Sequence, residues 1–264
     1  MLIRTISAII ALPLLFFVLF SGGLILYAAV FIISLIGLFE FYKAFRKLAN
    51  PIDWAGYLAT VALYAGFFGA FSRDYFSFVT ASFMFLLLSL VVFGIRDFQS
   101  AAVTFIGFFY VSFSLSHLIL ISNIDENYFI WYPFIIAFLT DTFAYLTGKM
   151  FGKTKLIPSV SPNKTVEGSI GGMVACVIFS YLYASWGKPD FQVYAIFLGL
   201  VGGALSQIGD LIASKFKRIV DIKDFGKLMP GHGGVLDRFD SLIITLPLVY
   251  YFMVLFNYVN DKWI

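Results

Sequence analysis

Nine times between residues 6 and 259 the chain runs apolar for roughly the length that crosses a bilayer, and this repetition restricts its fold more than any motif does. A spanning helix needs about 20 mostly apolar residues. The runs cover residues 6–20, 24–45, 55–71, 76–93, 101–121, 128–150, 168–186, 192–216 and 236–259. Of the 264 residues 61% are hydrophobic and 12% charged, so no stretch between the runs is polar enough to cover a water-soluble core. The sequence therefore predicts an all-α, polytopic integral membrane protein of about nine transmembrane helices, folded as one membrane domain, residues 1–264. The first run has Arg4 ahead of it and Ser21-Gly22-Gly23 behind it, a layout that a signal peptide shares; we read it as a retained helix.

Charge placement sets the orientation. With the N-terminus inside, fifteen of the eighteen Lys and Arg residues fall in cytoplasmic loops, and only Arg73, Lys188 and Lys262 fall outside. This is the asymmetry of the positive-inside rule, and it puts the C-terminus outside. The single cysteine, Cys176, lies within an apolar run; it excludes an intrachain disulfide and reads as small packing volume.

The halves differ in character. Residues 1–122 form apolar spans with few polar intrusions and read as scaffold. Residues 128–259 bring carboxylates, glycines and lysines into or beside the spans, and two cytoplasmic loops, 148–169 and 217–234, carry most of them. Asp141 and Asp210 need partners, because an ionised carboxylate at membrane depth costs several kcal/mol by most estimates. Tyr145 and Gly148 follow Asp141 at i+4 and i+7, and Ser214 and Lys217 follow Asp210 at the same spacings, so each acid shares a helix face with them. An acid reaching the interface or a structural ion pair explains Asp141 equally well. Asp210 is different, since "PGHGGVLDRFDS" adds Asp237 and Asp240 at the start of the next span.

Carboxylates gathered this closely repel unless cations hold them. Oxygen-only donors favour Mg²⁺ completed by water and phosphate, whereas His117, His232 and a remote Cys176 cannot build a zinc site. Gly231, Gly233 and Gly234 ahead of a helix outline a phosphate cradle, and His232 either contacts a phosphate or caps that loop. Lys164 in "SPNKTVEGS" points to a phosphate, while Asn163, Thr165 and Glu167 offer caps for the following helix. His117 reads as a buried, hydrogen-bonded side chain; Lys149, Lys153 and Lys155 read equally as topology determinants. "GSIGG" and "GLVGG" read as close helix contacts.

The segment "SKFKRIVDIKDFGKLMPGHGGVLDRFD", 214–240, resembles the signature of the phosphatidate cytidylyltransferases, or CDP-diacylglycerol synthases: S-x-apolar-K-R, then K-D, then H-G-G and D-R-x-D. Met229 stands where that family more often has Leu, Ile or Phe. "AYLTGKMFG" behind Asp141 and "SPNKTVEGSIGG" resemble the family too. The resemblance implies that CTP and phosphatidic acid give CDP-diacylglycerol and pyrophosphate with Mg²⁺, at the cytoplasmic face of the cell membrane and without any nucleic acid partner. It makes Asp210, Asp237, Lys217 and Arg238 the expected catalytic set. Asp210, Asp237, Asp141 and Asp240 are the expected metal ligands, and Lys164, Ser214, Arg218, Lys223, His232, Gly233 and Gly234 the expected substrate contacts. Asp224 is read as orienting the basic loop. The number of ions, and whether a monovalent cation joins them, stays open. A homodimer is the expected assembly. The same ligands would also serve a CTP-dependent lipid or polyprenol kinase, and intramembrane acids occur in cation-coupled transporters as well.

Overall fold

A computed structural model of the chain describes residues 2–69, 73–124, 128–228 and 233–259. They are almost wholly helical and fall into two compact units, one drawing on the chain up to Ile119 and on Ile219–Arg238, the other on Leu120–Arg218 and the chain from Phe239.

The first unit holds α1 (Leu2–Ser21), α2 (Gly23–Phe45), α3 (Asp53–Phe68), α4 (Arg73–Val92), α5 (Phe98–Gly107) and most of α6 (Ser114–Ser122). Between α5 and α6 the helix widens into a π-helical stretch, Phe108–Phe113. Asp97 starts α5 by accepting the Ser100 N–H at 2.8 Å and the Ser100 hydroxyl at 2.6 Å, bonds that hold its carboxyl below the usual carboxylate range. Tyr42 is fully buried where α2, α3 and α5 meet, and its hydroxyl donates to the Thr104 carbonyl at 2.9 Å. A side chain at Gly56 or Gly107 would run into the Tyr42 ring, so these glycines are the space it occupies. Ser34 and Tyr64 share a hydrogen bond of 2.6 Å, and Thr60 bonds Ser112 at 2.8 Å. His117 is buried with Nδ1 2.8 Å from the Phe113 carbonyl oxygen, as its surroundings in the sequence suggest. These polar atoms inside the spans thus find partners within the protein, as a solvent of hydrocarbon favours.

The second unit holds α7 (Tyr132–Phe151), a hairpin of β1 (Lys155–Ile157) and β2 (Ser161–Thr165), α8 (Val166–Gly187), α9 (Gln192–Ile219) up to Arg218, and α10 (Leu236–Val259) from Phe239 onward. The hairpin pairs Lys155 with Thr165 and Ile157 with Ser161, and it replaces part of what the sequence reads as plain loop. Thr165 then caps α8 by accepting the Gly168 N–H at 3.2 Å. Glu167 reaches back instead, accepting the N–H groups of Lys153 and Thr154 at 3.1 Å.

Glycines decide how closely these helices approach. A β-carbon at Gly168 would lie 2.6 Å from the Ala144 carbonyl oxygen, and one at Gly172 2.7 Å from that of Thr140, so α8 lies on α7 backbone to backbone. Gly199 and Gly203 do the same for α9 against α8, where Cys176 supplies the small volume expected of it. Gly209 brings α9 against α10, 2.9 Å from the Asp240 carbonyl by the same measure. At the far end of α8 the Tyr128 and Tyr183 rings stack at 4.7 Å, and each hydroxyl donates to the other's carbonyl at 3.0 Å.

Among the described residues, seven helices are long and apolar enough to span: Gly23–Phe45, Asp74–Val92, Phe98–Ser122, Phe129–Phe151, Val166–Gly187, Pro189–Ile219 and Leu236–Asn257. Helix α3 has 16 residues and falls short of that length, and in α1 the stretch described with side chains is Leu12–Ser21. The polytopic all-α class holds; the count of nine is not established. Large apolar side chains such as Phe78, Phe85 and Val92 of α4 point outward, the surface a lipid solvent accepts.

Gly172→Leu should force α7 and α8 apart. Overpacking costs about 1–3 kcal/mol even where side chains can yield, and a backbone carbonyl cannot. Thermal unfolding in detergent should show a midpoint several degrees lower, while Ile170→Leu, about half a turn away on the exposed side, leaves it unchanged.

Candidate functional site

In the second unit, Asp141 of α7, Asp210 of α9 and Asp240 of α10 come into one electrostatic neighbourhood: the charge of Asp210 acts on both of the others. The close glycine contacts of α8 and α9 put the three helices within this reach. Lys164 of β2 forms an ion pair with Asp210 and offsets charge at Asp141, and Lys217, two turns beyond Asp210, offsets charge at Asp240. The Ser241 hydroxyl donates to Asp141 Oδ2 at 3.3 Å, and the Ser241 N–H to Asp240 Oδ1 at 2.8 Å.

A cleft of about 400 Å³ opens on this cluster, within the range of small-molecule sites. Asp141, Tyr145, Gly148 and Lys149 line it from α7, Asn163, Lys164 and Thr165 from the hairpin, and Gln207 and Asp210 from α9. The stripe of Asp141, Tyr145 and Gly148 thus faces one cavity, as helical spacing predicts. Gln207 was not anticipated; it is buried, and its amide donates to the Ser169 and Gly203 carbonyls at 3.2 Å. Ser214 is half-buried on α9, and Arg218 is exposed near its end.

The donor chemistry suits a hard cation, all of it oxygen. Among the described residues, however, no three His, Cys, Asp or Glu side chains close into a ligand set. A dication here would rest on one or two carboxylates with water and phosphate oxygens around it, which is how Mg²⁺ is commonly held and not how a protein cage for Ca²⁺ is built.

The remaining expected residues belong to the first unit, except His232, which with Gly231 lies outside the described residues. Asp237 is buried at the start of α10, and its Oδ2 accepts the N–H of Phe225 at 2.8 Å and of Gly234 at 3.0 Å. The Gly234 amide, expected to face an anion, is therefore engaged by a side chain of the protein. Gly233 has φ +84°, and a β-carbon there would lie 2.8 Å from Asp237 Oδ2, so glycine is required on both counts. Lys223 and Asp224 are exposed in the loop, and Arg238 is exposed on α10. Lys47 donates to the Asp221 carbonyl at 3.0 Å, tying this loop to the end of α2.

Sequence reasoning missed Glu40. It is buried in α2, and its Oε2 accepts the Leu236 N–H at 3.0 Å. The signal was present: in "GLFEFYKAF" one acid interrupts an apolar span, the same argument that selected Asp141 and Asp210.

The cytidylyltransferase family matches residues 2–256, which include every side chain just described. The chain is 33% identical over 256 residues to the phosphatidate cytidylyltransferase of Staphylococcus haemolyticus (strain JCSC1435), covering 94% of this chain and 97% of that one. It is 35% identical over 258 residues to the phosphatidate cytidylyltransferases of Staphylococcus aureus (strain COL) and Staphylococcus saprophyticus subsp. saprophyticus, with the same coverage. The acids, the cleft and the loop at α10 thus sit in a chain that belongs to the cytidylyltransferase family.

Proposed function

We propose that this protein transfers the cytidylyl group of CTP to phosphatidic acid, giving CDP-diacylglycerol and pyrophosphate, within a cell membrane and at its cytoplasmic face. The observation that carries the reading is a cleft lined by Asp141, Asp210 and Lys164, with Asp240 of α10 in electrostatic reach of both acids. Family membership and the names of the relatives support the substrates. The lysine-rich loops support the orientation, N-terminus inside and C-terminus outside. A homodimer is the assembly we expect.

A phosphate oxygen of the lipid forms a bond to the α-phosphorus of CTP while the bond to the β,γ-pyrophosphate breaks. No protein nucleophile is required, and a phosphomonoester with a second pKa near 6 is already mostly dianionic, so no strong base is required either. The protein's work is positioning and charge stabilisation. Asp210, with Asp141 or Asp240, would hold Mg²⁺, which when bound neutralises the phosphates of CTP. Lys164, at the cleft wall, meets the incoming triphosphate; Lys217, Arg218, Lys223 and Arg238 supply further cations, and Ser214 a hydroxyl. Asp237 shapes the glycine loop through its two backbone bonds.

Purified protein in detergent, given phosphatidic acid, Mg²⁺ and CTP labelled at the α- or the γ-phosphate, should move only the α-label into lipid and release the γ-label as pyrophosphate. Transfer of the γ-label to lipid would identify a kinase and overturn the reading. Chelation by EDTA should abolish turnover, and added Mg²⁺ should restore it. Asp210→Asn should lower kcat by about 10²-fold or more in folded protein. Lys164→Ala combined with it should lose much less than the product of the two single losses, because the ion pair couples them.

A further inference from the structure

Helix α10 begins without a capping side chain of its own. The residue ahead of Leu236 is Val235, which has no polar side-chain atom, yet the first N–H groups of a helix have no partner inside it. Glu40, 196 residues earlier in the chain, provides what is missing. Its Oε2 accepts the Leu236 N–H at 3.0 Å, and the Val235 N–H also bonds to it. The carboxylate fills the space above two glycines, because a β-carbon on Gly226 or on Gly234 would collide with it. Asp237 works from the other side, taking the N–H groups of Phe225 and Gly234.

We infer that Glu40 is a positioning residue for the reaction: it acts as a built-in anion at the N-terminus of α10 and fixes Gly226, Gly234 and Val235 and the helix start that carries Asp237 and Arg238. The inference rests on the function proposed above. A buried carboxylate already fills this end of α10, where a substrate phosphate would otherwise be drawn. The two glycines are the imprint of that carboxylate on the loop, which ties the role to Glu40 in particular and not to a generic polar residue.

The test uses the full chain in detergent, with Glu40→Ala, Glu40→Gln, Gly234→Ala and the double variant Glu40→Ala/Gly234→Ala. Trypsin cleavage after the exposed Lys223 and Lys227, followed by mass spectrometry, reads the loop without any need for activity. Glu40→Ala should raise cleavage there about 10-fold, the factor that loss of roughly 1.4 kcal/mol of local order produces. It should lower kcat about 10²-fold, as misplacement by an ångström does, and leave KM for phosphatidic acid nearly unchanged. Glu40→Gln, which keeps an acceptor oxygen, should fall between. Gly234→Ala alone should be as damaging as Glu40→Ala, and the double variant no worse than either, because removing the carboxylate makes room for the methyl group.

Wild-type cleavage and wild-type kcat in Glu40→Ala would overturn the inference. So would a lowered thermal midpoint with cleavage and kcat per folded molecule unchanged, or losses in the double variant that simply multiply. If the wild-type chain makes no CDP-diacylglycerol, the proposed function fails, and the cleavage pattern with its non-additivity still decides whether Glu40 holds the loop.

Discussion

A carboxylate placed inside a membrane span is costly unless the protein supplies it a partner, and three acids of this protein are arranged around that fact. The carboxylates meet it in three different ways. Asp210 takes an ammonium group from a hairpin outside its own helix, Asp141 takes a hydroxyl from α10, and Glu40 takes backbone N–H groups that would themselves lack partners. In each case the partner comes from another element, so satisfying the acid also fixes that element in place. The neutral pairs of the first unit, Ser34 with Tyr64 and Thr60 with Ser112, follow the same logic without charge.

Partners of this kind are short-ranged, which makes helix separation the controlling variable. In lipid, apolar side chains gain little from exchanging lipid tails for one another, and close contact of backbones helps hold helices together. The glycines of α8 and α9 provide it, and the same contacts determine that Asp141, Asp210 and Asp240 feel each other's charge. Packing and electrostatics are therefore not separable in the second unit. An added methyl group at Gly168 would shift α8 on α7, and with it the cap at Thr165 and the lysine of the adjoining strand.

Much of this was legible in the sequence, for physical reasons that differ from residue to residue. Long apolar runs announce helices by length alone, and Asp141 and Asp210 stand out because nothing around them shares their polarity. Tyr145 and Gly148 followed from helical spacing, and the cleft gathers them with Asp141. The third run reads as a span, but α3 ends at Phe68 and its 16 residues fall short of a spanning length. The hairpin is hidden because its strands have three and five residues and the second carries Pro162, too little pattern for a period of two to show. Glu40 was hidden by its neighbourhood: it lies in a half of the chain that composition marks as scaffold, and its partner is far away in sequence. The expected anion cradle at Gly233 and Gly234 was a reading of glycines as open space, whereas part of that space holds the carboxylates of Glu40 and Asp237.

This last difference bears on where substrate charge is met. A helix N-terminus attracts one anion, through a few N–H groups that converge on it. At α10 the Leu236 N–H is engaged by Glu40 and the Gly234 N–H by Asp237, so a phosphate arriving there would have to displace carboxylates held in a low-dielectric surrounding. Cationic side chains offer the easier route. Lys164 lines the cleft while balancing Asp210, and an ammonium on a flexible four-carbon stem can turn between an acid and a phosphate without moving the backbone. Under the function proposed, ordering the loop and receiving the nucleotide are two separate tasks, the first suited to carboxylates bonded to backbone N–H groups and the second to lysines on flexible stems.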